Sequence, residues 1–290
     1  MRLPCLRSAT DLQSLVYLFA QPALAAWQWQ EGFSPLGLGA MLFLAVGVTA
    51  VNHNHTHLPM WRSGGANRLT DLWLSLVQGH PGFVFFPTHI GNHHRHKHGP
   101  RDEARTYRFG GDHNHLLGFL LHPFQALPKL LPLIMKWFWR TRTRSPFLFM
   151  HYTMQFGVVG LTWLMLGSIS LEKLALYVLL PQLFGVHFLL ATNYLQHAHA
   201  SFRGGLDYAR NFEGWVNVLL FNIGLHTAHH EHPTLHWSRL PERHAEYRGR
   251  VDPRLIEPSF GGYVARTYLG ALFLRRLRSE PLTRSAGELP

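Results

Sequence analysis

The 290-residue chain has one cysteine, Cys5, and few charges: Asp, Glu, Lys and Arg together make up 15% of it. A single thiol excludes an internal disulfide and any four-cysteine zinc or iron–sulfur site. Charge this low, against about a quarter in an ordinary soluble domain, points with the 47% hydrophobic content to a chain largely out of water. Acidic residues are the scarcest, 16 against 27 Lys and Arg. Several catalytic signatures are also missing. There is no Gly-x-Gly-x-x-Gly, no His-Glu-x-x-His, and no Glu followed by His at the third position after it. Their absence removes a flavin or nicotinamide site, the common zinc-protease site and the glutamate-rich di-iron bundle.

What the chain has in excess is histidine, 22 residues, and long apolar runs. Surface solubility does not need that many imidazoles, and neutral histidine is the commonest metal ligand, so nitrogen is the expected metal donor. Runs near bilayer length occur at 12–29, 35–52, 147–167 and 174–192. They predict an all-α integral membrane fold of four spans arranged as two hairpins, with 1–290 as a single domain. The first run lacks a small-residue cleavage site and is expected to stay as a membrane helix. The turns at 30–34 and 168–173 hold one basic residue between them, whereas twelve Lys and Arg lie between the hairpins. The positive-inside rule therefore puts the histidine-rich regions 53–144 and 193–290 on the cytoplasmic side, as a helical cap with interfacial helices. Residues 116–139 are apolar but contain Pro123, Pro128 and Pro132, which predicts broken segments in the interface rather than a fifth span. Residues 263–278 read as a basic amphipathic helix on the same face.

The histidines fall in four clusters: His53-Asn54-His55-Thr56-His57, then Thr88-His89-Ile90-Gly91-Asn92-His93-His94, then Asn193-Tyr194-Leu195-Gln196-His197, then His226-Thr227-Ala228-His229-His230. Residues three or four apart share a helix face, so His53 and His57, His89 and His93, Asn193 and His197, and His226 and His230 are possible ligand or ligand-support pairs. Adjacent residues point about 100° apart on a helix. Each doublet, His93-His94 and His229-His230, is therefore suited to place one imidazole on each of two metals. Nine histidines also exceed the three or four ligands of a zinc site.

A His-x3-His box, then His-x3-His-His, then Asn-x3-His, then His-x2-His-His, spread over helical hairpins from about Pro35 to Pro241, resembles the membrane fatty acid desaturase and hydroxylase superfamily. The resemblance implies a histidine-bound centre of two Fe ions that uses O2 as co-substrate. By position it implies that His53, His57, His89, His94 and His230 hold one iron and His93, His197, His226 and His229 the other, with Asn193 holding a water beside the second. Many members have Asp after the first histidine of the first box, where this chain has Asn54. Asp71 and Asp112 are candidates for the missing carboxylate that orients a ligand.

The thirteen histidines outside the nine, among them His55, His98, His122, His151, His187, His199 and His244, read as surface or hydrogen-bonded structural residues. His187, deep in the fourth run, fits a functional group and a helix–helix hydrogen bond equally. The resemblance implies an oxidoreductase that acts on a lipid or fatty acyl C–H bond, with desaturation first. Hydroxylation or ketolation of a carotenoid or alkane, and alkene-forming decarboxylation of a fatty acid, use the same scaffold. A histidine-rich metal transporter is the alternative of another class, but its ligands belong near the bilayer midplane. No redox cofactor is encoded besides iron, so an external electron donor is expected: a ferredoxin, a rubredoxin or a cytochrome b5 type. The basic face, which also suits anionic membrane lipids, is its expected dock, with the whole protein in a bacterial inner membrane.

Overall fold

Serine–proline steps start two of the long helices. Ser34 Oγ accepts from the Gly37 N–H and Pro35 opens α2 (Pro35–His57); Ser145 Oγ accepts from the Leu148 N–H and Pro146 opens the later helix Pro146–Ile169. Both are N-caps followed by a residue with no N–H to leave unpaired. The computed structural model describes residues 5–108, 111–203 and 205–282. These are mostly helical, with one two-residue parallel strand pair, β1 (Asn211–Phe212) beside β2 (Ile256–Glu257). The chain forms two compact units, Met1–Pro87 with Ile134–Leu189, and Thr88–Leu133 with Leu190–Pro290.

In the first unit α1 (Leu12–Glu31) packs on α2, and Tyr17 lies so close to Gly47 that any Cβ there would overlap its ring. The next helix, α3 (Gly64–Gln78), has 15 residues and spans about 22 Å, short of the roughly 30 Å apolar core of a bilayer. Its C-terminus is buried and its last carbonyls need partners. Gln182 supplies them, its amide donating to Leu76 O at 3.0 Å and to Val77 O at 3.3 Å. The loop beyond α3 is tied by Gly82 N–H to Ser75 Oγ and Phe83 N–H to Gln155 Oε1.

Among the described residues, four helices are long and apolar enough to cross a membrane: α2, α4 (Leu116–Arg144), α5 (Pro146–Ile169) and α6 (Leu171–His197). The number agrees with expectation, but the set differs in one member. Residues 12–31 do form one helix, yet Gln13, Gln21, Gln28 and Gln30 make it too polar to count. Residues 116–144 are one unbroken helix despite three prolines, contrary to the broken segments expected. Each proline removes one donor, and neighbouring turns and local adjustments can satisfy the carbonyl it frees. Buried positions recur every fourth residue along this helix, at His122, Ala126, Leu130, Ile134 and Phe138.

α5 is inside-out. Its buried positions include His151 and Gln155, while Leu161, Leu164, Met165 and Ile169 are exposed. A helix that turns its apolar side outward belongs in hydrocarbon rather than in water.

The second unit is centred on Tyr194, Leu195, Ala198, Phe212, Tyr263 and Tyr268. Arg210 is buried beside this core, with Nη1 donating to Leu195 O at 2.9 Å and Ala198 O at 3.0 Å and its guanidinium 4.7 Å from the Tyr263 ring centre. It thereby closes the C-terminal end of α6. Replacing it with Met leaves those carbonyls unpaired and should lower stability by about 2–4 kcal/mol. Lysine, a point charge without the fork, should recover only part of that. Thermal unfolding of the purified protein measures both, and an unchanged melting temperature for Arg210→Met would refute this role.

Candidate metal centre

His53 and His57 lie one turn apart at the end of α2, in the first unit, with ring centres 4.9 Å apart. The His53 Nδ1–H donates to Asn54 Oδ1 at 3.1 Å, so a neutral amide takes this proton. That bond leaves Nε2 of His53 as the lone-pair nitrogen. His55, between them, is turned elsewhere: its Nδ1 accepts from the Met60 N–H and its Nε2 faces Asp71. Asp71 also lies 3.0 Å from His151 Nε2.

The second unit holds the other seven. His89, His93 and His94 are carried by a π-helical segment, Phe86–His94. In this wider winding the hydrogen bonds run i to i+5, and His89 Nε2 lies 3.0 Å from His94 Nε2, five residues on. His94 Nε2 is also 3.0 Å from His229 Nε2. In a separate set His197 Nε2 is 3.0 Å from His226 Nε2, which is 3.1 Å from His230 Nε2. His93 joins this set, and the four residues' ligand atoms lie within 4.8 Å of one another.

The doublets split as expected, but the fourth box splits the opposite way from the resemblance. His230 goes with His226, one turn before it on α7 (His226–Glu231), while His229 turns to His94. The i, i+4 geometry of a short regular helix decides this.

Both sets suit a metal on several counts. Nitrogens held at right angles on one ion at about 2.1 Å would sit about 3.0 Å apart, as these do. The far-nitrogen protons of two of these histidines are committed elsewhere. His93 Nδ1–H donates to Asp102 Oδ2 at 2.7 Å, and His197 Nδ1–H donates to Tyr208 O at 2.7 Å. The buried Nε2 of His93 makes no hydrogen bond to the described residues, and it points a lone pair into the cluster. Burial pushes the pKa of His230 well down, so it stays neutral as a ligand must.

Asp102 has no periodic signal in the sequence because it sits on the loop after the second box. It is fully buried and accepts from His93 Nδ1–H, from the His98 N–H at 3.0 Å and from the Ala104 N–H at 2.8 Å. Burial alone would raise its pKa, but the facing His93 imidazole and these bonds outweigh it and hold the carboxyl well below its usual range. Asp112 is not in this role: it accepts from the His199 N–H at 3.1 Å, and burial pushes it up to about 6.

Asn193 donates its amide to Ala104 O at 2.7 Å and lies 3.3 Å from His122 Nε2. His98, read from the sequence as a surface or hydrogen-bonded structural residue, is fully buried and stacks on His197 with ring centres 5.1 Å apart, and burial pushes its pKa down to about 3. It and Lys97 take positive φ, 63° and 41°, strain of the order of 1–3 kcal/mol each that persists only where surroundings enforce it. His122, His151, His199 and His244 are buried too.

The sequence model of the family named fatty acid desaturase matches residues 27–257, about four fifths of the chain. The chain belongs to the fatty acid desaturase family. No curated protein matches it. Membership in this desaturase family makes the protein an oxidoreductase, and it gives the histidine sets and the membrane-length helices a common context.

Replacing Asp102 with Ala removes the acceptor that orients His93, and metal affinity should fall about 10- to 100-fold. Asn at this position should give a smaller loss. Competition with a chelator reads it directly, and wild-type retention in a folded Ala variant would remove Asp102 from the site.

Proposed function

We propose that this protein is a membrane di-iron oxidase that uses O2 to introduce a double bond into a fatty acyl chain. The observation that carries the reading is the four-nitrogen set His93, His197, His226 and His230, buried and mutually within 4.8 Å. It stands beside the trio His89, His94 and His229 in a chain of the desaturase family. In the proposed assignment His53 and His57 complete the first ligand set with that trio, and the four-nitrogen set holds the second iron with a water on Asn193. The two units work as one catalytic domain. When bound, the two irons supply O2 activation and the removal of hydrogen from an unactivated C–H bond.

The chain's own residues account for the rest. Asn54, Asp102 and the Tyr208 carbonyl hold the far-nitrogen protons of His53, His93 and His197, so each imidazole presents a lone pair without rotating. The amide of Asn193 is fixed by Ala104 and His122, which leaves Oδ1 to orient a water. Exposed leucines and methionines on α5 suit an acyl environment. Electrons arrive from an external ferredoxin, rubredoxin or cytochrome b5-type protein drawn to the basic cytoplasmic segments.

Iron-replete protein should contain two irons per chain, with occupancy falling as acid protonates the imidazoles. Given O2, reductant and a fatty acyl substrate, it should yield a product two mass units lighter. A gain of sixteen would mean hydroxylation, and loss of the carboxyl group decarboxylation; one iron per chain would sink the di-iron reading itself. His197→Ala and His229→Ala should each abolish turnover, whereas His244→Ala, whose ring binds Glu213 at 3.0 Å, should retain most of it.

The reading keeps α1 with α2 and α5 with α6 as the two membrane hairpins, lays α4 in the interface, and puts the site on the cytoplasmic side of a bacterial inner membrane. In a Cys5→Ser background, cysteine at Ser34 or Ser168 should react in intact cells with a membrane-impermeant thiol reagent, and cysteine at Ser145 should react only after the membrane is opened. Labelling of the Ser145 variant from outside would overturn the topology.

A further inference from the structure

Tyr208 does more than lend a carbonyl to His197. Its side chain is 1% exposed, and its ring centre lies 5.4 Å from that of His230. Its phenol donates to Glu231 Oε1 at 2.7 Å. The same carboxylate oxygen pairs with Lys97 Nζ at 2.7 Å, and the Lys97 side chain, 40% exposed, reaches the protein surface with its ammonium 5.3 Å from the Tyr208 ring centre. The left-handed backbone at Lys97 belongs to the loop that places this cation.

Other buried tyrosines of the second unit lack this arrangement. Tyr107 and Tyr268 have no hydrogen-bond partner for the phenol among the described residues. Tyr194 donates to a peptide carbonyl, His113 O, and Tyr263 accepts from Asn114. A phenol is hard to oxidise unless its proton has somewhere to go, and a carboxylate at hydrogen-bond distance is such a place. Tyr208 therefore combines a proton acceptor, contact with two residues of one histidine set, and a short route to the surface.

We propose that Tyr208 is a one-electron relay beside the metal site, an inference that rests on the di-iron reading. When the O2-oxidised iron pair has no substrate to attack, the Tyr208 O–H bond breaks. Its electron passes to the iron pair and its proton to the Glu231 carboxylate, leaving a neutral tyrosyl radical. One electron from the external protein donor, with the proton returned by Glu231, restores the phenol. The relay dissipates an oxidising equivalent that would otherwise attack the surrounding imidazoles.

The test mixes iron-loaded, chemically reduced protein with O2 in the absence of lipid, freezes it within milliseconds to seconds, and records electron paramagnetic resonance. Wild type should give a tyrosyl signal. Tyr208→Phe, which keeps the backbone carbonyl on His197, should lose it when the signal is scaled to the iron bound in the same sample; Tyr107→Phe should keep it, and Glu231→Gln should weaken it. A signal equally strong in Tyr208→Phe overturns the relay. Iron measured in the same samples separates the two readings. Wild type with two irons and no tyrosyl signal overturns the relay and leaves the centre standing, whereas protein that holds no iron pair overturns both.

Discussion

An imidazole that binds a metal through one nitrogen almost always donates the proton of the other to a fixed acceptor. Much of the second unit follows from meeting that condition inside the protein. The loop after the second histidine box turns back so that Asp102 reaches His93, and its backbone bonds to His98 and Ala104 hold the carboxylate in place. The chain beyond α6 turns back likewise, putting Tyr208 O on His197, with Arg210 and the β1–β2 pairing just downstream. His93 and His197 are thus oriented by residues that are not helical, on two loops with no core-forming pattern.

The first unit meets a different condition. Its outward positions are apolar, so polar groups that a water-soluble protein would leave at the surface are turned inward and must be paired there. Gln155, Gln182, Ser75 and Trp163 do this, each bonded to another side chain or to a backbone group at the buried end of α3. The short α3 can stop inside the unit because Gln182 takes its last carbonyls. A short helix ending inside the unit is thereby paired without a charged residue.

The helical class, three of the expected membrane-length helices and the clustering of the boxed histidines were legible from periodicity and spacing, since apolar length and box spacing are local properties. The remainder depended on geometry that spacing does not encode. A spacing of four on a regular helix would pair His89 with His93, but the π-helical winding brings His89 to His94 instead. The fourth box is an ordinary short helix, and there the same rule correctly joins His226 to His230. The prolines of α4 misled because a lost donor was read as a break, whereas residues 116–144 form one helix. Asp71 and Asp112 were reasonable acceptors by chemistry, whereas Asp102 owes its role to a loop path that no periodicity reveals.

The acceptors themselves bear on redox behaviour. Asp102 brings one negative charge to His93, but His197 gives its proton to a peptide carbonyl and His53 to the amide of Asn54, both neutral. Glu231, the next carboxylate near this set, is already paired with Lys97. Neutral ligands with mostly neutral supports leave the charge of a bound metal largely uncompensated, and a centre that is too positive is easier to reduce, as net charge and hydrogen bonding tune other iron sites. The scarcity of acidic residues, 16 in the whole chain, therefore has a local counterpart at the histidines. On the di-iron reading proposed above, such a centre would accept electrons readily from a small protein donor and, in its oxidised form, would pull strongly on the nearest oxidisable bond. On that reading the choice between an acyl C–H and the phenol of Tyr208 would depend on which lies in place.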